Sequence, residues 1–391
     1  MNPHPPGARS GLFGRPILTV TIVLAALVGM GLGGVALASR DPSPGAPRWQ
    51  DVPAVAASRP AASSSPSASG VITLSATGDI IMGSAPNRLP ANGGEGFFDS
   101  VKAGLAADLV MGNLEQPLTG DTGTSKCGSP RRANCFAFRS PPSYARHLKD
   151  AGFELLNTAN NHSKDFGAAG YQNTVQALRA AGLQYTGAED QITVVTVKGV
   201  RVAVIGFSPY VGANNLNDLG HSRAIVARAQ QQADVVVVQV HMGAEGSDKT
   251  HVRPGHELFF GENRGDPIAF SHAVIDAGAD VVIGHGPHVL RGMQFYKGRL
   301  IAYSLGNFAG GGKTLSSSGV LGYGGILHVS ITSDGRWAGG RFLSTAMSPT
   351  GVPTRDRANE RGRALVAGLS ADDFGRTAAR IGGDGSISPP G

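Results

Sequence analysis

The chain has 391 residues, with 34 basic and 28 acidic side chains and a net charge of +6. Five arginines (Arg9, Arg15, Arg40, Arg48 and Arg59) against Asp41 and Asp51 put half of that excess in residues 1–70, and the nearly neutral remainder gives no sign of the clustered basic face that nucleic acid requires. Apolar residues at 41 % and charged residues at 16 % exclude wholesale disorder. The 57 glycines are about twice the usual share, which means either low complexity or many tight strand-to-loop turns.

Residues 1–16 read as a cytoplasmic N-terminus carrying Arg9 and Arg15. Ile17–Ser39 is an uncharged run long enough to cross a bilayer core of roughly 30 Å. The basic N-terminal flank predicts an N-in, C-out single-pass anchor, while Ala36-Leu37-Ala38 offers the alternative of a signal cleaved at Ala38. Residues 40–70, rich in Pro, Ala and Ser, read as a disordered linker. Either way the expected address of the folded part is the cell surface or beyond, outside the cytoplasm. Cys127 and Cys135 are then most simply a disulfide stapling a long loop; a free pair and a two-cysteine metal site are the alternatives.

A folded domain is expected over residues 71–382. Strands are predicted at 71–79, 108–113, 153–159, 234–240 and 280–283, and helices at 99–107, 141–152, 168–182, 221–233 and 268–278. Lys198-Gly199, Lys297-Gly298 and Asp334-Gly335 mark hairpins. Strands alternating with helices, then hairpins, predict an α/β layered fold with mixed sheets. The segment 383–391 reads as a disordered tail.

The chemistry lies where strands end. Gly78-Asp79, Gly112-Asn113-Leu114-Glu115, Ala159-Asn160-Asn161-His162, Val240-His241 and Gly284-His285-Gly286-Pro287-His288 each place a metal-capable or proton-carrying side chain after a buried run. Ligand sites in open α/β sheets gather outside the carboxyl ends of strands. Each piece alone has an ordinary structural reading: a cap for Asp79, a solvated Glu115, a side-chain turn for Asn160-Asn161, a hydrogen-bonded core His241. Five converging strands favour one site. Carboxylates, an amide oxygen and imidazoles suit Mn, Zn or Fe better than Ca or Mg, and a histidine beside them can protonate a leaving group.

Thr77-Gly-Asp79-Ile, Asn113-Leu-Glu115, Asn160-Asn-His162, His241-Met-Gly243-Ala-Glu245, Gly284-His285-Gly-Pro-His288 and Tyr303-Ser-Leu-Gly-Asn307-Phe308 resemble the ordered motifs of the CapA proteins. These are poly-γ-glutamate capsule synthesis proteins, a branch of the calcineurin-like metallophosphoesterases. The resemblance runs from about Val71 to Pro353 and implies a four-layer αββα sandwich. It implies one divalent ion on Asn161, His241 and His285, another on Asp79 and His288, and Glu115 as the bridge. His162 would be the general acid, with Asp79 also catalytic; Asn113, Asn160, Glu245 and Asn307 would orient groups or bind substrate. This chain departs from the superfamily pattern at Ile81, where an imidazole is usual, so the Asp79 ion lacks one ligand. It departs again in its His-x-x-His spacing and at Met242, where CapA proteins commonly have Trp. Residues 251–264 read as an inserted surface loop over the site.

The expected function is a membrane-tethered CapA-type role in synthesis, export or attachment of an anionic polymer such as poly-γ-glutamate, beside membrane-bound synthesis partners. The alternatives are an extracytoplasmic metal-dependent phosphoesterase, a non-catalytic polymer-binding scaffold, and metal-free acid–base chemistry by Asp79, Glu115 and His162.

Overall fold

The computed structural model describes residues 70–391. The expected anchor at 17–39 and nearly all of the linker lie outside them. Among the described residues no helix is long and apolar enough to cross a membrane.

Two mixed β-sheets face each other. The larger has ten strands. Its path runs Arg380–Ile381, Ser386–Ser388, Trp337–Met347, Tyr323–Thr332, Val71–Ile81, Leu109–Leu114, Leu155–Asn157 and Gln184–Thr186, with Asn307–Gly310 also paired in parallel to Val71–Ile81. The smaller has seven strands, with Arg299–Ala302, Val281–His285, Val235–His241 and Val200–Ser208 consecutive and mutually parallel except at its hairpin edges.

Strand periodicity explains the layering. Side chains alternate faces along a strand. Val202, Val204, Val235 and Val237 point between the sheets and meet Leu74, Met111 and Leu155. Their neighbours Ala203, Ile205, Val236 and Val238 point outward and are covered by Ile225, Val226, Phe270 and Val274 from the helices Leu219–Gln230 and Pro267–Asp276. Burial on both faces is why this stretch is an unbroken valine run. On the far side, Val110, Leu114 and Leu156 of the larger sheet pack under Val101, Leu148 and Leu178 of three further helices. The architecture is a mixed α/β sandwich, with helices covering both outer faces. Helix ends follow local chemistry: Asp266 accepts hydrogen bonds from the N–H groups of Ile268 and Ala269, and Gly152 closes its helix in the left-handed region at φ 105°.

The C-terminal segment corrects the sequence reading. Residues 383–391 are not a loose tail. Ser386–Ser388 forms a strand between Trp337–Met347 and Arg380–Ile381, with Ile387 buried in the inter-sheet core. One isoleucine among Gly, Ser and Asp leaves no compositional trace, yet supplies the burial that fixes the strand. The helix Arg361–Phe374, also unforeseen, lies beneath it with Val366 and Leu369 buried.

Candidate metal centre

Register brings the expected residues together. Asp79 sits opposite Asn113 on one neighbouring strand and Asn307 on another, and His285 sits opposite His241. Glycine permits this crowding. A Cβ at Gly78 would lie 1.9 Å from the Gly306 carbonyl oxygen, and one at Gly284 would lie 2.1 Å from that of Tyr303. The Asp79 N–H donates to the same Gly306 oxygen at 2.9 Å, so the approach is held by a bond as well as allowed by glycine.

Asp79 and Glu115 are fully buried. Asp79 Oδ1 accepts from Asn113 Nδ2 at 2.8 Å. Asn113 Oδ1 in turn accepts from Asn157 Nδ2 and Asn160 Nδ2, at 3.0 and 3.1 Å, so a chain of amides fixes the carboxylate. His288 Nδ1 stands 3.2 Å from Asp79 Oδ2, but its closer partner is Asn307 Oδ1 at 2.8 Å. His288 Nε2 faces Glu115 Oε1 at 3.6 Å and Glu245 Oε2 at 3.8 Å. His285 Nε2 is paired with Gln239 Oε1 at 3.1 Å, and its Nδ1 looks toward Asp79 Oδ1 at 4.0 Å. Asn161 reaches the group through Glu245, its Nδ2 donating to Oε1 at 3.3 Å.

The electrostatics follow from burial. Burial opposes ionisation of Asp79, but the His288 ring 3.2 Å away, with the His241 and His285 imidazoles behind it, prevails and holds its carboxyl below the usual range. Burial pushes Glu115 well above that range, and the Asp79 charge adds to the effect. Burial drives His285 down to about 4 and His241 well below an ordinary imidazole, the latter helped by the Arg264 charge. Burial alone would lower His288 too, but Glu115, Asp79 and Glu245 draw it well upward.

Asp79 Oδ2, both oxygens of Glu115, Asn161 Oδ1 and His285 Nδ1 are buried without a hydrogen-bond partner. Leaving such groups unpaired costs about 1–3 kcal/mol each. All are metal donors. Asp79, Glu115 and His241 also offer ligand atoms within 4.8 Å of one another. These residues fit a divalent cation.

His162 stands at the cleft beside this cluster. Its Nδ1 is 2.8 Å from Asp165 Oδ2, its ring lies against Phe138, and burial lowers its basicity while Asp165 works the other way. Asp165 also holds Lys126 Nζ at 2.7 Å and the Phe138 N–H at 2.7 Å. Lys126 lies immediately before Cys127, where the Cys127–Cys135 disulfide closes its loop. Asp165 had a visible signal, three residues after His162 and so on the same side of a turn; Lys126 had none. Gln239 was legible in principle, as the one polar side chain inside the valine run.

The segment 251–264 does lie by the site, but it is not simply a surface loop. Its last residue, Arg264, is fully buried. The guanidinium donates to Gly243 O, Tyr210 Oη and Glu245 Oε1 at 3.0, 2.7 and 2.9 Å, and Nη2 lies 3.1 Å from His241 Nε2. A second buried arginine, Arg291, grips Glu257 through both terminal guanidinium nitrogens, and Asp373 of the helix Arg361–Phe374 accepts from the Val252 N–H. The segment is clamped along its length. A cleft of about 520 Å³ opens between it and the disulfide loop, with Arg132 and Phe136 on one wall, Phe260 and Glu262 on the other, and His162 and Arg264 inside.

The α/β sandwich thus gathers at its strand ends a buried carboxylate–imidazole group able to hold a divalent ion. Residues 73–311 match the model of the bacterial capsule synthesis protein family PGA_cap, and the chain belongs to that family. It is 32 % identical over 259 residues to the capsule biosynthesis protein CapA of Bacillus anthracis, covering 61 % of this chain and 59 % of that protein. It is 31 % identical over 257 residues to the PGA biosynthesis protein CapA of Bacillus subtilis, covering 61 % and 63 %. The chain thus spans about three fifths of the length of these relatives. Among solved structures, a 5'-nucleotidase precursor from Thermus thermophilus aligns with a TM-score of 0.39 at 15 % identity, over 76 % of this chain and 59 % of that one.

Proposed function

We propose that this is a membrane-tethered, extracytoplasmic CapA-type protein that binds and hydrolyses an anionic, poly-γ-glutamate-like polymer at a metal-dependent site. The observation that carries the reading is the set of buried, unpartnered oxygen and nitrogen donors on Asp79, Glu115, Asn161 and His285, beside the open cleft that contains His162. The Cys127–Cys135 disulfide supports an oxidising compartment, as does the apolar run at 17–39 followed by a linker.

A divalent ion held by these residues would polarise the scissile carbonyl. Asp165 accepts the Nδ1–H of His162, which sets the tautomer and leaves Nε2 free to take a proton from the attacking water and pass it to the departing nitrogen as the C–N bond breaks. Arg132 gives the disulfide-loop wall positive charge suited to the polymer's pendant carboxylates, while Lys126 is already paired to Asp165. Glu245 holds Asn161 and Arg264 in place.

The test uses the full chain loaded with Mn, Zn or Fe and offered poly-γ-glutamate, with an aryl phosphate in parallel. The expected result is metal-dependent shortening of the polymer, reduced about 10²-fold or more in His162→Ala. Polymer that binds without shortening, or phosphate turnover alone, overturns the reading in favour of a scaffold or a phosphoesterase.

A further inference from the structure

The rim of the cleft displays aromatic rings that packing does not account for. Phe136 is 56 % exposed on the disulfide-loop wall, and Phe260 is 80 % exposed on the wall across from it. Among the described residues these are the only phenylalanines so exposed, and both line this one cleft. Phe260 is held out against its own backbone preference. Phe259 pairs with Glu262, so Phe260-Gly261 is a two-residue hairpin turn. Both of its residues have positive φ, 47° and 82°, the sign pattern of a type I′ turn. Asn-Gly is the favoured pair in such a turn, whereas a bulky residue in the left-handed region is an outlier that persists where function gains from it. Phe136 is braced as well. Arg131 Nε donates to Cys135 O at 2.8 Å, and its guanidinium lies 5.8 Å from the centre of the Phe136 ring.

The two walls differ in charge. Arg132 is exposed and donates through Nη2 to Lys126 O, with no carboxylate paired to it among the described residues. The hairpin side carries Glu262, fixed by a 2.7 Å hydrogen bond from Tyr210 Oη, with Glu245 deeper in. A ligand charged on every side meets repulsion from that second wall. The ligand that fits turns carboxylates toward Arg132 and an uncharged, apolar flank toward Phe260. A polyamide with methylenes in its backbone and pendant carboxylates has both flanks. Polyphosphate, charged all round, has neither an apolar flank nor amide planes for an aromatic ring to cover.

We propose that Phe136 and Phe260 are the jaws of a clamp that grips the aliphatic backbone of an anionic polyamide strand while Arg132 takes a pendant carboxylate, fixing which face of the strand enters the cleft; this rests on the polymer reading above and names the residues that select the polymer.

The experiment titrates the full chain with poly-γ-glutamate and, separately, with polyphosphate of matched charge, in chelator so that nothing is cut and again with added Mn. The wild type should bind poly-γ-glutamate about tenfold more tightly than polyphosphate. Phe260→Asn restores the favoured Asn-Gly turn, so it should unfold no earlier than the wild type while losing about tenfold in affinity for poly-γ-glutamate and most of the preference. Phe136→Ser should lose preference in the same way, and Arg132→Gln should weaken poly-γ-glutamate binding and flatten its dependence on salt. Equal binding of the two polymers by the wild type, or unchanged affinity in Phe260→Asn, overturns the clamp and leaves the polymer reading standing. A wild type that forms dimers which Phe260→Asn dissolves also overturns it, since the rings then cover a second copy of the chain. A wild type that binds no poly-γ-glutamate with or without Mn overturns the polymer reading itself.

Discussion

Both oxygens of the buried Glu115 carboxylate lack a donor, while the neighbouring Asp79 carboxylate is tied to Asn113. The consequence is a pH effect in chelated protein. A carboxyl whose folded value is raised keeps its proton below the ordinary range and loses stability as pH climbs from that range through the folded value. Glu115→Gln removes the charge and keeps the shape. In the presence of chelator it should unfold later than the wild type at pH 8, by about 1–3 kcal/mol, with the gap closing toward pH 4. Added divalent metal should stabilise the wild type and not the variant. Equilibrium denaturation at the two pH values checks this. Residue identities were the most legible level of the site, because a charged or imidazole side chain after a buried strand has few other uses. Arg264 was illegible for the opposite reason. In sequence it closes a polar stretch, and only the fold shows that this end is driven under His241 and Glu245.

Strands and helices were legible wherever burial imposed a period. The valine run 235–240, the Lys198-Gly199 hairpin and the helix at 167–180 follow directly from alternation, turn chemistry and helical spacing. The strand Asn307–Gly310 was not, since it is four residues long and its pairing to Val71–Ile81 is set by Gly78 and Gly306 meeting across it. That contact is the element-scale weak point. In Gly78→Ala the new methyl carbon would fall 1.9 Å from a backbone oxygen that no side-chain rotation can move. The strand carrying Asp79 must shift away from the segment carrying Asn307 and His288. A loss of about 3 kcal/mol or more is expected from such overpacking, with weakened metal uptake in whatever folds. Urea denaturation measures the first and ion counting the second; a loss below about 1 kcal/mol would mean the strand end is plastic.

At the scale of the whole molecule, the sandwich is closed by its C-terminal end. Ile387 enters the same core as Leu74 and Val204, and burying a side chain of that size contributes about 1.5–3 kcal/mol. Truncation after Gly383 should lower stability by about that amount without changing the number of ions bound, read by thermal unfolding beside metal content. Such long-range closure leaves no local pattern, which is why the layered class was readable and the last strands were not. The insertion has a further consequence. Val235–His241 and Val281–His285, the strands before and after it, are adjacent and parallel in one sheet. Only the exposed tip of the hairpin formed by Leu258–Phe259 and Glu262–Asn263 could therefore be lengthened without displacing either strand, since each doubling of a loop costs only about 0.6 kcal/mol in closure entropy. The floor of the cleft, built from strand ends, is constrained on every side. The rest of its roof is clamped too, so that exposed tip, with Phe260, is the part of the cleft open to exchange, a route to a different ligand on an unchanged foundation.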